Sequence, residues 1–229
     1  MLQYRVFSFP KLRTLVSWAA YVHRPSTYVL LDLTTFEIHV ARVAKAGMSP
    51  LVAGSMGEAV HLSHSERTTL IRLARTTLDS AGFYHIPVIA GTGAASTRET
   101  IELTKEASKA GADYAIVIAG GYYGSFLSND RAALKGFFRD VSQNSPIPIM
   151  IYNCKPLRCS NPRYRIFNTV IPDPSSSGNI DLDSDIIVEL AQECPNTCGV
   201  KLTYVVDMIL SIANTSSWYM TTAAVMLVN

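Results

Sequence analysis

The chain has 229 residues, with 20 Lys and Arg against 18 Asp and Glu, a net charge of +2, and 48% hydrophobic but only 17% charged residues. A disordered chain would be polar and strongly charged, and a nucleic-acid binder driven by phosphate attraction would show a clear basic excess; neither fits. The length suits one domain, or two small ones, with enough chain to bury a core.

Residues 1–30 read as an irregular N-terminal extension. No Asp or Glu occurs before Asp32, while Arg5, Lys11, Arg13 and Arg24 lie among Ser and aromatic residues. That composition is also what a mitochondrial transit peptide looks like. The expected location is cytoplasmic, with mitochondrial as the alternative. Thr27 to Leu31 has the makings of a short strand.

From residue 34 the chain alternates strands and helices. Residues 34–46 put Phe36, Val40, Val43 and Ala44 on one helical face, with Thr34 or Thr35 as the cap and Gly47 at the end. Pro50 to Ala53 is a short apolar strand. A second helix opens at Ser63, where Ser63 and Glu66 form a capping-box pattern, and ends near Gly82. Pro87 to Ala90 is the next strand, and Ser96 opens a helix that runs to Ala110 and Gly111. Tyr114 to Ala119 is an apolar strand, residues 129–143 a helix, Ile147 to Tyr152 a strand, Asp183 to Gln192 a helix, and Cys198 to Thr203 a strand.

Apolar strands alternating with amphipathic helices predict a parallel sheet covered by helices. An open doubly wound sheet and a closed (β/α)8 barrel both satisfy the pattern. In both, chemistry sits at the carboxyl ends of the strands. Those ends carry Gly54-Ser55-Met56-Gly57-Glu58, Gly91-Thr92-Gly93, Gly120-Gly121-Tyr122-Tyr123, Tyr152-Asn153 and Lys201-Leu202-Thr203. A lysine, phenols and a Gly-Ser-x-Gly turn suggest amine chemistry on a carbonyl.

Lys201 interrupts an apolar run. Burial disfavours its ammonium form and would expose a neutral amine able to form a Schiff base with a ketone. The plain alternative is a lysine snorkelling from a strand end. Tyr152 ends its strand and offers a phenol for proton relay, or is an ordinary strand tyrosine with a satisfied hydroxyl. Gly54, Ser55 and Met56 offer backbone N–H groups and a hydroxyl to a carboxylate, or form a simple βα turn. Gly91-Thr92-Gly93 imitates a dinucleotide fingerprint, but the third glycine is absent, and Asp113, the acid at the right spacing, begins its strand instead of ending it. A nucleotide-binding oxidoreductase is therefore the weaker rival. The four cysteines, Cys154, Cys159, Cys194 and Cys198, have no histidine nearby, so thiols in a reducing compartment fit better than a zinc site.

Gly54 to Glu58, Tyr122-Tyr123, Ile151-Tyr152-Asn153 and Gly199-Val200-Lys201-Leu202-Thr203 resemble, in order, the motifs of the dihydrodipicolinate synthase / N-acetylneuraminate lyase family. Gly54 to His64 and Gly91 to Gly111 look most like its fungal branch of 4-hydroxy-2-oxoglutarate and 2-keto-3-deoxy-sugar-acid aldolases. The likeness covers about residues 31–153 and 176–203. It implies a (β/α)8 TIM barrel with a C-terminal helical extension, usually tetrameric. It also implies that Lys201 forms a Schiff base with pyruvate or another 2-oxo acid, that Tyr152 relays protons beside it, and that Gly54, Ser55 and the Met56 N–H hold the substrate carboxylate. Tyr123 matches the second tyrosine of a pair that in many members reaches into a neighbouring subunit. No metal or organic cofactor is implied. Synthases of the family carry an arginine soon after the Tyr-Asn motif. Arg158 stands near that place but in an atypical segment, so an aldolase is favoured and 4-hydroxy-tetrahydrodipicolinate synthase activity is the alternative.

The chain departs from the family pattern at three places. Residues 1–30 hold no convincing first strand, about 154–175 is an insertion, and 204–229 is an atypical tail. The tail lacks charge from Met208 onward but is broken by Asn214 to Ser217, so it is not expected to span a membrane. The expectation is a partial barrel domain over 31–203 with about six β/α units, lacking the last strands and the helical extension, as an imperfect gene model or splice form would give. An inactive truncated barrel is the alternative outcome.

Overall fold

The computed structural model describes residues 21–22, 30–153, 180–202 and 219–222. The transit-like start before Tyr21, the insertion at 154–175, Arg158, Cys154 and Cys159 lie outside these residues. A short antiparallel pair, β1 (Tyr21–Val22) and β2 (Leu30–Leu31), precedes the main body. The strand expected near Thr27–Leu31 therefore exists as Leu30–Leu31, but it pairs in its own two-stranded sheet and not with the barrel strands.

The main body alternates α1 (Leu33–Lys45), β3 (Leu51–Val52), α2 (His64–Ser80), β4 (Ile89–Gly91), α3 (Thr97–Ala110), β5 (Tyr114–Ile118), α4 (Gly124–Leu127), α5 (Arg131–Asn144), β6 (Ile149–Asn153), α6 (Ser184–Glu193), β7 (Thr197–Leu202) and β8 (Tyr219–Thr222). The helix starts follow local chemistry. Ser63 and Glu66 form the predicted capping box on α2, and Ser96 accepts the Glu99 N–H at the head of α3. The start of α1 differs from expectation. Asp32, not Thr34 or Thr35, is the cap, and it accepts the Thr35 N–H at 2.9 Å and its hydroxyl at 2.7 Å. A carboxylate at the positive end of a helix gains from the dipole as well as from the hydrogen bond. At the other end of α3, Gly111 adopts φ 99°, a left-handed conformation that stops a helix without a Cβ clash.

The six strands β3 to β8 form one sheet, every neighbouring pair parallel, in the order in which they occur along the chain. A doubly wound sheet reverses its strand order at a switch point; here there is none, so the sheet winds in one direction as a barrel does. β8 corrects the expectation that residues 204–229 add no strand: Tyr219–Thr222 pairs with Gly199–Leu202 of β7. Its sequence, Tyr-Met-Thr-Thr, lacks the apolar run of the earlier strands but supplies aromatic and β-branched residues that suit a strand.

Residues alternate across the sheet. One face carries Val52, Ala90, Val117, Ile151 and Val200 into two apolar clusters with the helices, the larger members including Leu78, Phe138 and Ile187. Among the described residues, the opposite face carries Leu51, Ile89, Ile116 and Met150 as its buried apolar cluster, with Tyr114, Tyr152 and Cys198 packed against them. The segment from Ile180 to Asp183 that leads into α6 is tied to β6 by the buried Asn153 amide. That side chain donates to Leu182 O at 2.8 Å and accepts from Leu182 N at 3.1 Å. Outside, Arg131, Lys135 and Arg139 of α5 form a chain of ion pairs with Asp183, Glu189 and Glu193. Among the described residues, no helix is long and apolar enough to cross a membrane.

Candidate active site

Because the strands are parallel, their carboxyl ends gather on one side of the sheet. Lys201 and Tyr152 face each other there as register partners on β7 and β6. The Lys201 Nζ lies 4.0 Å from the centroid of the Tyr152 ring. An ammonium over an aromatic face is attracted by the ring quadrupole, by about 0.5–2 kcal/mol depending on exposure. Both side chains are half-buried on the inner face, where Tyr152 packs against the Leu51, Ile89, Ile116 and Met150 cluster. Lys201 is thus less deeply buried than its apolar neighbours in sequence suggest, since Val200 and Leu202 point to the opposite, helix-covered face.

A bulge decides where Lys201 points. Thr197 pairs with Ile149 and Gly199 with Met150, which leaves Cys198 as an extra residue. The Thr197 hydroxyl donates to Ser142 Oγ of α5 at 3.4 Å, on the helix side. In a regular strand residues 197 and 201 would share a face; the extra residue reverses the parity and turns Lys201 inward. The Cys198 thiol donates to Ile149 O at 3.3 Å, and burial pushes its pKa up to about 11. Sequence patterning did not indicate this bulge. The adjacent Gly199 was its sole local signal.

The Gly54-Ser55-Met56-Gly57 segment follows β3 as a 3₁₀ turn spanning Ser55–Gly57. Gly54 is buried and Ser55 half-buried. The turn is bracketed by two non-glycine residues with left-handed backbones, Ala53 at φ 56° and Glu58 at φ 52°. Such conformations cost about 1–3 kcal/mol each and persist where neighbours enforce them. Tyr123 closes a 3₁₀ turn after β5; its ring is 56% exposed and stacks edge-on against Tyr122 at 4.8 Å. The structure therefore brings Lys201 and Tyr152 into contact, sets Gly54, Ser55 and Met56 at the same end of the sheet, and leaves Tyr123 at the surface.

The nucleotide alternative loses its acidic anchor. Asp113 sits at the start of β5, accepts the Val88 N–H at 2.8 Å and faces Arg75 at 3.5 Å. Among the described residues, no three His, Cys, Asp or Glu side chains gather as a metal site.

Comparison with known proteins bears on the family and the fold. The model of the dihydrodipicolinate synthetase family matches residues 32–161. The protein of Emericella nidulans named "Probable 4-hydroxy-2-oxoglutarate aldolase, mitochondrial" is 44% identical over 174 residues, 76% of this chain and 49% of that protein. The L-threo-3-deoxy-hexylosonate aldolase of Aspergillus niger is 42% identical over the same length, 46% of that protein. The chain thus spans about half the length of these relatives. Among solved structures, a dihydrodipicolinate synthase family protein from Coccidioides immitis superposes with a TM-score of 0.70 at 32% identity, over 90% of this chain and 58% of that one. YagE from E. coli K12, solved in complex with pyruvate, gives 0.69 at 26% identity, over 90% and 61%. The six-stranded sheet is accordingly part of a TIM barrel, and the chain belongs to the dihydrodipicolinate synthetase family.

Proposed function

We propose that the protein is a class I aldolase, a carbon–carbon lyase that cleaves or condenses a 2-oxo acid with pyruvate as one component. The observation that carries this reading is the Lys201–Tyr152 contact at 4.0 Å on the inner face of the sheet. The Lys201 amine attacks the C2 carbonyl of the 2-oxo acid, and loss of water gives an iminium. In cleavage, the 4-hydroxyl gives up its proton, the C3–C4 bond breaks, and its electron pair flows to the iminium nitrogen. An aldehyde leaves and an enamine remains. Protonation at C3 and addition of water return pyruvate and the free amine. Tyr152 carries protons in these steps. The amides of Gly54 and Met56 and the Ser55 hydroxyl hold the carboxylate, since a turn of converging N–H groups suits an anion. The lysine itself supplies the electron sink, so the chemistry calls for no metal or organic cofactor.

The names of the two fungal relatives support a substrate of the 4-hydroxy-2-oxoglutarate or 3-deoxy-sugar-acid type over the dihydrodipicolinate synthase reaction. One of those names also carries a mitochondrial location, which with the basic, acid-free start supports the mitochondrial alternative over the cytoplasm for this chain. The exposed Tyr122–Tyr123 pair suits contact with a second copy, in keeping with the homotetramer the resemblance implies. The test is intact mass after incubation with pyruvate and borohydride, followed by peptide mapping. Borohydride reduces an imine to a stable amine. The expected result is a single pyruvate-derived adduct on Lys201. No adduct on soluble protein, or adducts scattered over surface lysines, would assign the chain to the inactive-fragment alternative.

A further inference from the structure

The strained turn that carries Gly54 and Met56 needs something to hold it, and α2 supplies a candidate. The Arg67 guanidinium donates from Nη2 to Ala59 O at 2.6 Å and from Nη1 to Gly91 O at 3.3 Å. Ala59 lies just past the turn, in a second 3₁₀ segment at Ala59–His61, and Gly91 is the last residue of β4. One planar group thus bridges the far side of the turn to the neighbouring strand. The near side meets the same residue. A Cβ at Gly91 would lie 1.9 Å from Ala53 O and 2.7 Å from Ala53 C, so the Ala53 carbonyl sits directly against the Gly91 Cα.

These features converge on one place. The two left-handed residues, Ala53 and Glu58, bracket Gly54–Gly57. Gly91 admits the carbonyl at one end, and Arg67 draws in the backbone at the other. We propose that Arg67 is a positioning residue. With Gly91 as its counterpart it clamps the turn over 53–59 against β4, and so fixes the Gly54 and Met56 amides and the Ser55 hydroxyl for a substrate carboxylate. It acts through the turn and does not itself touch substrate. The carboxylate role of the turn rests on the reading above; the clamp itself does not. A lysine replaces it only in part, because a point ammonium lacks the fork that reaches two carbonyls at once.

The test uses the full chain, its Arg67→Ala and Arg67→Lys variants, and two readouts. The first is the pyruvate concentration giving half-maximal borohydride trapping at Lys201. It should rise about tenfold in Arg67→Ala, the scale of one lost charge-assisted hydrogen bond, with Arg67→Lys between it and the parent. The yield at saturating pyruvate should hold, because Lys201 and Tyr152 are untouched. The second is amide hydrogen exchange, which should speed up over 53–61 and stay unchanged over β5 and β6. Unchanged half-saturation together with unchanged exchange over 53–61 overturns the proposal. Loss of protection in every element of both variants also overturns it, since Arg67 would then serve overall stability. If the parent chain shows no adduct at Lys201, the aldolase reading fails, and the exchange pattern still decides whether Arg67 clamps the turn.

Discussion

The two faces of the sheet are built to different rules. The helix-covered face holds two clusters of aliphatic and aromatic side chains, with Leu78, Phe138, Ile151, Ile187 and Leu190 wholly shielded from water. Among the described residues, the inner face has four buried apolar residues, and past them at the carboxyl ends of β6 and β7 come the Tyr152 phenol and the Lys201 amine. Stability is therefore concentrated where close packing displaces water, and reactive groups lie where the packing stops. A reacting ligand needs space and polar partners, which a close-packed core excludes.

Mutations can break this contrast from either side. The largest expected effect is at Lys201. Lys201→Ala should abolish pyruvate trapping by mass spectrometry yet leave the urea midpoint within a small shift, because the side chain is only half-buried. A large loss of stability would show that the inner face is also structural. On the other face, Phe138→Ala should cost about 3–5 kcal/mol in urea unfolding, the transfer term plus the cavity left behind. A cost below about 1 kcal/mol would mean that the outer cluster collapses easily.

Asn153 tests the seam between β6 and the segment that leads into α6. Asn153→Ala strands the buried Leu182 N–H and C=O and should cost about 1–3 kcal/mol. The smallest effect concerns His64, which bonds Glu106 at 2.9 Å and faces Glu99 at 3.7 Å between α2 and α3. The Glu106 hydrogen bond raises its pKa above the ordinary 6.5. A proton held more tightly in the folded chain stabilises it fully below pH 6.5, and that contribution is lost as pH rises through the raised value. Thermal unfolding across that range should show this fall in the parent and not in His64→Gln, and added salt should shrink it because the pair is solvent-accessible. An identical pH profile in both proteins would remove the pair from the account.

Much of this was legible along the chain. The helix starts at Ser63 and Ser96 follow from hydrogen-bonding side chains three residues from the N–H they satisfy, a local relation. The strands at β4, β5 and β6 follow from apolar runs, because a parallel sheet is buried on both faces. The cap of α1 at Asp32 was the exception. Thr34 and Thr35 were plausible caps, and the acid one turn earlier gains an interaction with the helix dipole that they lack.

The candidate site residues are singled out by their position after strands, but their mutual arrangement is not. Gly54, Ser55, Met56, Tyr123, Tyr152 and Lys201 are strand-end residues by sequence alone. That Lys201 faces Tyr152 depends on one extra residue, Cys198, whose effect on parity is visible only against the neighbouring strand. Arg67 carried no signal at all: it lies on an amphipathic helix among other polar residues, and the backbone carbonyls of Ala59 and Gly91 that it reaches are eight and twenty-four residues away.

Local chemistry thus settled the elements, their alternation and the family motifs, because caps, turns and apolar runs act over a few residues. Tertiary structure settled which of two windings the sheet takes, that Tyr219–Thr222 joins it, and which way Lys201 points. Each of these depends on register between strands distant in sequence, and register is set by whole faces packing together, which no single segment contains.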